Sequence, residues 1–251
     1  MATPVPVRLF VFVLDTGFRP LVGARVEVVD GPEAGRSATT DENGSFSWTG
    51  SFDSTTRFRA SKEGHVNATQ AWKCSVAVCG PGAATPWVGF YLDVLAPPVD
   101  IAGHYTLTIL ADATCADLPD EARSRTYAAT VSPNAPSSAA ITSYTVTVSD
   151  ASFPEGFDNF SIGVAGDYLG FSLHGGHDPP IVEQLTANTY FAVSGNAAAT
   201  IGTSGVSAIS AAFDGWIAYC AAPSPMSAFY SCGMSKTQCE SSHHRLMMTR
   251  R

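Results

Sequence analysis

Short runs of alternating apolar and polar residues dominate this 251-residue chain. Segments such as ARVEVVD, HYTLTIL, SYTVTVS and NTYFAVS carry β-branched or aromatic residues at period two, and turn-forming residues bound them. Successive side chains of a strand point to opposite faces, so this pattern predicts strands with one buried face. Only LPDEARSR, with Pro119 before an acidic start, fits a helical turn or two. The sequence therefore predicts an all-β protein.

The segment VLAPPVDIAG divides the chain. Pro97 and Pro98 have no amide hydrogen and would interrupt a central strand, so they mark a linker or a domain edge. We expect one domain over residues 1–96 and a second over residues 97–251, both of ordinary size.

Charge limits the classes of partner. Charged residues make up 14% of the chain, and the formal net charge is −8. This balance repels nucleic acid phosphates and anionic lipids. The longest apolar run, Leu9 to Leu14, is too short to span a bilayer. We expect no nucleic acid partner and no membrane span. A small ligand, a glycan or a protein surface stays open, as does self-assembly.

Six cysteines fall in loop-like surroundings and suggest an exported protein. Disulfides persist in oxidising compartments, and abundant Ser, Thr, Gly and Ala are typical of extracellular bacterial β-proteins. The N-terminus lacks the basic and apolar regions of a signal peptide. We predict a secreted or cell-surface protein whose leader has been removed. A cytosolic protein with six free thiols is the alternative.

The first domain resembles a known family over about residues 7–95. The order VFVLDTGFRPLVGARVEVVDGPEAGRSATTDENGSFSWTG, followed by RFRASKEGHV, is similar to carboxypeptidase regulatory-like domains. This resemblance implies a transthyretin-like or Ig-like sandwich of about seven strands, and an accessory module without catalytic residues. The matching positions are Asp15, Gly17, Pro20, Leu21, Gly23, Ala24, Thr39, Thr40, Asp41, Asn43, Gly44, Phe46 and 60–64.

Local chemistry gives further expectations for this domain. Asn43–Gly44 supplies the left-handed backbone that a tight hairpin needs, so Asp41 and Glu42 are interpreted as turn formers rather than as an acid–base pair. Cys74 and Cys79 are predicted to form a local disulfide, because no further zinc ligands lie nearby. Beside them, Trp72 and Trp87 form either an exposed sugar-stacking patch or a cover over the domain edge. We favour the cover.

The second domain contains about eight strand-like segments, enough for an antiparallel barrel or a two-sheet sandwich. If a barrel closes, its first and last strands pair antiparallel. Cys115 follows the first strand and Cys239 precedes the last, so their sulfurs would lie close together. Cys220 and Cys232 would then bridge the loop between the last two strands. The other pairings of these four cysteines stay open.

This domain has two looser resemblances. Gly103 and Tyr105 at its start and Arg245 near its end resemble lipocalins, which implies a likeness of architecture only. It also resembles uncharacterised bacterial exported β-domains, and that resemblance implies no activity.

The search for catalytic chemistry yields weak candidates. His174, His177 and Asp178 stand close together in LHGGHD, but a metal site also needs ligand count and geometry. His243 and His244 are adjacent in a predicted strand, so only one of them could join such a site. The loop containing Asp150, Glu155 and Asp158 lacks EF-hand spacing. A polar loop is the favoured interpretation of LHGGHD, and a calcium site is not favoured.

Nucleophilic and cofactor chemistry have no supporting motif. The chain has no Gly-x-Ser-x-Gly elbow, although a glycosidase carboxylate pair drawn from distant segments stays open. GPGAATP lacks the lysine and the following helix of a phosphate-binding loop, so we predict no cofactor.

The aromatic residues of the second domain are interpreted mainly as core, with a pocket for an apolar ligand as the alternative. They are Tyr105, Tyr127, Tyr144, Phe171, Tyr190, Phe191, Phe213, Trp216 and Tyr219.

Three functions follow from these observations. The leading hypothesis is a non-catalytic extracellular bacterial protein that binds or presents a ligand or a partner surface. The first alternative is a structural subunit of a surface filament or adhesive assembly, in which VRLFVFVL adds to a neighbour's sheet edge. The second is an enzyme with a dispersed metal site at His174 and His177.

Overall fold

The computed structural model of the chain describes residues 6–73, 85–135, 140–173, 181–201, 206–232 and 237–251. It is all-β, as the alternating pattern predicted. Two compact units, Met1–Pro97 and Pro98–Arg251, make up the chain. Their division falls one residue beyond the expected boundary, between the two adjacent prolines.

The first unit is a sandwich of two sheets. One sheet has the order β4-β1-β7 and the other β3-β2-β5-β6. Strand β1 pairs antiparallel with β4 and parallel with β7. The strands are β1 (Val7–Asp15), β2 (Arg25–Asp30), β3 (Ser37–Thr39), β4 (Ser45–Gly50), β5 (Arg57–Ser61), β6 (Ala68–Ala71) and β7 (Trp87–Leu92).

Alternate residues of both sheets form the core of the sandwich. Leu9, Val11 and Val13 of β1 are fully buried, and they share one cluster with Phe58 and Ala60 of the opposite sheet. The intervening residues of β1 point outward. Strand β1 is hydrogen bonded on both edges, so VRLFVFVL cannot extend a neighbour's sheet while the unit is folded. That element of the filament hypothesis is wrong.

The turn between β3 and β4 connects the two sheets, since β3 pairs with β2 and β4 pairs with β1, so the hairpin expected around Asn43–Gly44 is not formed. Asp41 Oδ1 accepts hydrogen bonds from the amides of Asn43 (3.0 Å) and Ser45 (2.9 Å). Gly44 has a φ of 69°, and a Cβ on it would approach the carbonyl oxygen of Val13 to 2.8 Å. Asp41 is therefore a turn former, and glycine is needed at position 44.

The second unit is an eight-stranded antiparallel barrel. Its strands follow the order β8-β9-β10-β11-β12-β14-β15-β16, and β16 pairs with β8. A short helix, α1 (Asp120–Arg123), coincides with the predicted helical turn. The strands are β8 (Gly103–Leu110), β9 (Ser124–Pro133), β10 (Thr142–Ser149), β11 (Asn159–Ala165), β12 (Tyr168–Ser172), β13 (Ile181–Thr186), β14 (Thr189–Thr200), β15 (Ala208–Ala221) and β16 (Gln238–Arg250).

One long strand, β14, completes the closure with help from two shorter ones. Its second half pairs with β12 and its first half pairs with β13, both antiparallel. The outer edge of β13 receives the β10–β11 connection, because the amides of Val182 and Gln184 donate to the carbonyls of Phe157 (3.1 Å) and Ser152 (2.8 Å). The edge of β13 is thereby covered.

Side chains fill the barrel. Leu107, Val146, Ile162, Phe213 and Leu246 come from five different strands, and each has no accessible surface. A void large enough for water would expose part of these side chains. Of the nine aromatic residues expected mainly in the core, Trp216 and Tyr219 are half-buried and the others are buried. Seven of these rings are therefore core residues rather than the lining of an open pocket.

A second helix, α2 (Pro225–Cys232), was not expected from the sequence. Ser224 lies before it, and Ser224 Oγ accepts the amide of Ser227 at 3.2 Å. A serine followed by proline is a known helix start, so SPMSAF carries a local signal for this helix. None of the described helices is long and apolar enough to cross a membrane.

Two cysteine pairs lie at disulfide distance in the second unit. Cys115 pairs with Cys239, with 5.6 Å between their Cα atoms, and Cys220 pairs with Cys232, with 5.4 Å between theirs. These are the pairs expected from strand order. The Cys74–Cys79 pair predicted for the first unit lies outside the described residues.

Candidate functional site

The two outer faces of the sandwich differ in chemistry. On sheet β3-β2-β5-β6, Glu27 pairs with Arg59 and with Arg25, and Asp30 pairs with Arg57. Cross-strand register brings these charges together, since Glu27 lies opposite Arg59 and Asp30 opposite Arg57. Such exposed pairs contribute little individually, and they make this face strongly hydrophilic.

An open cleft borders the charged face. Its volume is about 470 Å³, and mostly polar or charged residues line it. Arg25 is already paired with Glu27, and Lys62 Nζ donates to the carbonyl of Val22 at 2.7 Å. The two cations of the cleft are therefore engaged with the protein itself.

The opposite sheet, β4-β1-β7, carries five aromatic side chains on its outer side, which we call the aromatic face. They are Phe10, Phe12, Phe18, Trp87 and Tyr91. Trp87 is 64% exposed, Tyr91 49%, Phe10 39% and Phe18 72%, while Phe12 is half-buried between them. The turn after β1 supplies Phe18, and the two strands supply the others.

Each ring of the aromatic face contacts at least one other ring of the face. The Phe12 centroid lies 5.5 Å from that of Trp87 and 6.0 Å from that of Tyr91, and the Phe18 centroid lies 5.6 Å from that of Tyr91. Phe10 and Phe12 are 6.4 Å apart along β1. These separations are typical of interacting aromatic pairs. The face is therefore a continuous strip rather than scattered exposed residues.

Glycine 89 makes room for the centre of this strip. It lies opposite Phe12 in the β1–β7 register, and a Cβ at this position would overlap the Phe12 ring. Glycine weakens a strand interior, and aromatic residues commonly cover it in sheets. Phe12 can therefore lie against the sheet backbone between Trp87 and Tyr91.

The turn that holds Phe18 is strained. Phe18 has a φ of 64°, which is unusual for a bulky side chain. The buried carboxylate of Asp15 fixes the turn, because Asp15 Oδ1 accepts the amides of Gly17 (2.8 Å) and Arg19 (2.9 Å). Backbone strain of this kind is often found at functional sites.

Strand β4 adds a row of hydroxyl groups beside the aromatic face. Ser45 lies opposite Phe12, Ser47 lies opposite Phe10, and Thr49 lies opposite Arg8. Residues that face each other across a sheet share one side, so these hydroxyls border the rings. On the outer side of this sheet, Arg8 is the one charged residue among the described positions of β1, β4 and β7. The surface is aromatic and hydroxyl-rich, with little charge.

The two tryptophans near the predicted Cys74–Cys79 loop lie in different environments. Trp72 is 6% exposed and packs into the sandwich core, so the cover interpretation is right for it. For Trp87 it is wrong, because the register of β7 turns this residue to the outer side, where it contacts Phe12. The side on which Trp87 lies depends on how β7 pairs in parallel with β1, and the sequence does not reveal this pairing.

The metal candidates His174, His177 and Asp178 lie outside the described residues. Within the described ranges, no group of three His, Cys, Asp or Glu side chains could hold a metal ion. His243 is exposed and His244 is buried, as expected for neighbours in a strand. In the calcium candidate loop, Asp158 accepts from Asn159 Nδ2 at 3.2 Å and Asp150 lies 3.9 Å from Arg251.

A serine, an aspartate and two histidines meet where β16 bulges. Ser241 Oγ donates to Asp112 Oδ2 at 2.6 Å, and His243 Nδ1 lies 3.6 Å from the same oxygen. The hydrogen bond from Ser241 helps to lower the pKa of Asp112 to about 2. In a hydrolytic triad the serine must contact the histidine, whereas here it contacts the carboxylate. The group therefore stabilises the loop rather than activating a nucleophile.

Buried His244 belongs to the same region. Its Nδ1 accepts the amide of Asp112 at 3.0 Å, and its Nε2 lies 3.3 Å from the carbonyl of Cys239. Burial lowers the pKa of His244 below its ordinary value. His244 therefore ties the segment after β8 to β16, which the Cys115–Cys239 pair also joins.

A buried carboxylate on β13 is bonded to two side chains of β9. Glu183 of β13 is 4% exposed, accepts Arg125 Nε at 2.8 Å, and also pairs with Arg125 Nη2. The hydroxyl of Tyr127 donates to Glu183 Oε2 at 2.7 Å, and burial raises the pKa of Tyr127. Both carboxylate oxygens are occupied, so Glu183 fixes β13 to β9 instead of serving as a general base.

No protein-family model matches the chain, and a search of curated proteins found no match to it.

Proposed function

We propose that this chain is a non-catalytic extracellular protein that binds its partner through the aromatic face. The observation that carries this proposal is the distribution of exposed large apolar side chains. Among the described residues all of them belong to the first unit: Phe10, Phe18, Val22, Val66, Trp87, Tyr91 and Leu95.

The size of the aromatic face supports a binding role. An aromatic side chain presents about 150–250 Å², so the exposed fractions of Phe10, Phe18, Trp87 and Tyr91 amount to roughly 450 Å². Contiguous apolar patches of this size on soluble proteins commonly mark interaction sites. The charged face of the same sandwich provides a contrast, because its ion pairs already satisfy one another.

Catalysis has less support from the described residues. Glu183, Asp112 and His244 are each engaged in hydrogen bonds that link strands or loops. The resemblance of the first unit to carboxypeptidase regulatory-like domains, which are accessory modules, also favours a binding role. A dispersed metal site at His174 and His177 remains the alternative prediction.

The cysteine pairs of the second unit support an extracellular location. The second unit has two cysteine pairs at disulfide distance, and such bonds persist outside the reducing cytosol. Its barrel is closed and filled with side chains, which makes it a rigid support rather than a container for a ligand. We expect the first unit to bind and the barrel to act as the attached scaffold.

Binding assays on the intact chain test this function. Immobilised protein is exposed to neutral polysaccharides, anionic polysaccharides and a peptide library, and bound probes are re-tested with the variant W87A/Y91A. Leu95→Ala is the matched control, because Leu95 is 65% exposed and lies off the aromatic face. We expect the double variant to lose binding and the control to keep it. Equal binding by the wild type and by W87A/Y91A, or turnover of a probe, contradicts the proposal.

A further inference from the structure

The aromatic face is a long, narrow strip that runs along the strands. Trp87 and Tyr91 are four residues apart on β7, which corresponds to about 13 Å at the usual rise of a strand. Phe18 lengthens the strip beyond Tyr91, with 5.6 Å between the two ring centroids. Across the strip, Trp87 and Phe10 lie on neighbouring paired strands, about 4.8 Å apart. A narrow, linear partner fits such a strip better than a broad one.

The area argues against a second copy of the chain as the partner. A stable dimer usually buries about 800 Å² on each protein. The exposed rings offer roughly 450 Å², given the surface that aromatic side chains present. Widening the contact would add the hydroxyl row of β4, which is poorly suited to a dry interface between copies.

The charge argues against polyanions and lipid surfaces. Arg8 is the charged residue of this side among the described positions of the three strands, and the whole chain carries a net charge of −8. Sulfated or phosphorylated polymers and anionic bilayers need clustered cations. The partner expected here carries no net charge.

The remaining chemistry fits a carbohydrate. A pyranose ring has an apolar face of C–H groups, which stacks on aromatic rings, and a rim of hydroxyls. Trp87 and Tyr91 supply the rings, while Ser47 and Thr49 supply exposed hydroxyls on β4, which lies on the other side of β1 from β7. Neutral hydroxyl groups are suitable hydrogen-bond partners for sugar hydroxyls, since each can donate and accept.

Two locally unfavourable features of the backbone favour a functional role for the aromatic face. A glycine stands in the interior of β7, where it weakens the strand, and it allows Phe12 to lie against the backbone. Phe18 adopts a positive φ that glycine would adopt with less strain, and this places its ring beside Tyr91. Neither feature benefits the buried core of the sandwich.

We propose that the aromatic face binds a neutral polysaccharide, which lies along β1 and β7 with its sugar rings stacked on Trp87 and Tyr91. This inference rests on the proposed function, because it names the class of partner for the same surface.

The test is affinity electrophoresis of the intact chain through gels that contain a soluble neutral polysaccharide. The probes are hydroxyethylcellulose, soluble starch, arabinoxylan and, as the anionic comparison, polygalacturonate. The variants are Trp87→Ala and Phe18→Gly, with Leu95→Ala as the matched control. Thermal unfolding of each variant is measured alongside, and Phe18→Gly is expected to retain stability because it relieves the strained turn.

Retardation of the wild type and of Leu95→Ala by at least one neutral probe, with Trp87→Ala bound about tenfold more weakly, supports the inference. Weaker binding by Phe18→Gly without lower stability adds support, since a purely structural residue would not behave in this way. If no neutral probe binds, or if polygalacturonate alone binds, the inference of a neutral polysaccharide is wrong.

The outcomes separate the two proposals. A peptide or protein probe that binds in a Trp87-dependent manner, with no neutral polysaccharide binding, overturns the inference and leaves the proposed function standing. Binding of any probe that is equally strong in Trp87→Ala overturns both.

Discussion

Replacing Arg125 with methionine tests how the barrel wall is held where β13 meets β9. Glu183 is 4% exposed and is bonded by Arg125 and by the hydroxyl of Tyr127. Removing the guanidinium leaves the carboxylate buried with the tyrosine hydroxyl as its remaining described side-chain partner. The variant therefore measures the cost of an uncompensated buried charge.

The magnitude follows from burial. Removing one partner of a buried ion pair usually costs about 3–5 kcal/mol. The Arg125 side chain is 24% exposed, so water already screens part of the interaction and the lower end of that range applies. We expect a loss of about 3 kcal/mol, equivalent to roughly 6–12 °C in melting temperature for a unit of this size.

Hydrogen exchange of the intact chain, read from peptides of β9 and β13, reports the free energy of opening of the barrel itself. Adding Glu183→Leu to Arg125→Met should restore much of the loss, because the buried charge is then gone. The reasoning is refuted if Arg125→Met changes stability by less than about 0.5 kcal/mol, or if the double variant is no more stable than the single one.

Other predictions concern the pH dependence of stability, Gly89 under the aromatic face and the disulfide pairing of the cysteines. Because burial lowers the pKa of His244, the unfolded chain binds a proton more readily, so stability should fall as pH drops below about 6.5. Denaturation at several pH values should show a shallower decline in His244→Gln, and an unchanged decline would contradict this. Gly89→Ala should displace the ring of Phe12 and alter the near-UV circular dichroism, whereas Gly163→Ala, with open space around it, should not. Equal spectra in both variants would count against the packing described. Non-reducing peptide mapping should recover Cys115–Cys239 as a linked pair, and reduced thiols in native protein would oppose an extracellular location.

Local patterns made the fold class and the barrel closure predictable. Alternation in HYTLTIL and SYTVTVS requires one buried face, and β8 and β10 have it. The Cys115–Cys239 pair followed from one topological assumption, that the first and last strands of the barrel are neighbours. Such features depend on residues that are close in sequence or at the two ends of one domain.

The aromatic face was harder to predict because VRLFVFVL is apolar on both sides. A strand of this kind usually lies between two packed layers, and nothing in its own sequence shows that one side faces solvent. The parallel pairing of β1 with β7, which brings Trp87 and Tyr91 beside Phe12, joins segments about 75 residues apart. Register between distant strands is a tertiary property.

The charged interactions between β9 and β13 are not predictable from sequence for a similar reason. Arg125 and Glu183 are 58 residues apart, and IVEQLT does not alternate strictly. Since β13 has the β10–β11 connection on its outer edge, it lacks the regular environment that produces period-two patterning. Only the assembled barrel brings these side chains together.

Hydroxyl-radical footprinting of the free intact chain tests the central claim most directly, because it reports which tryptophans solvent reaches. Trp87 is 64% exposed, whereas Trp48 and Trp72 are 5% and 6% exposed. The account predicts rapid oxidation of Trp87 and Tyr91 with both core tryptophans protected, and protection of Trp87 once a binding polysaccharide is added. Trp87 that is as protected as Trp72 in the free protein would mean that the aromatic face is covered, and would contradict the account.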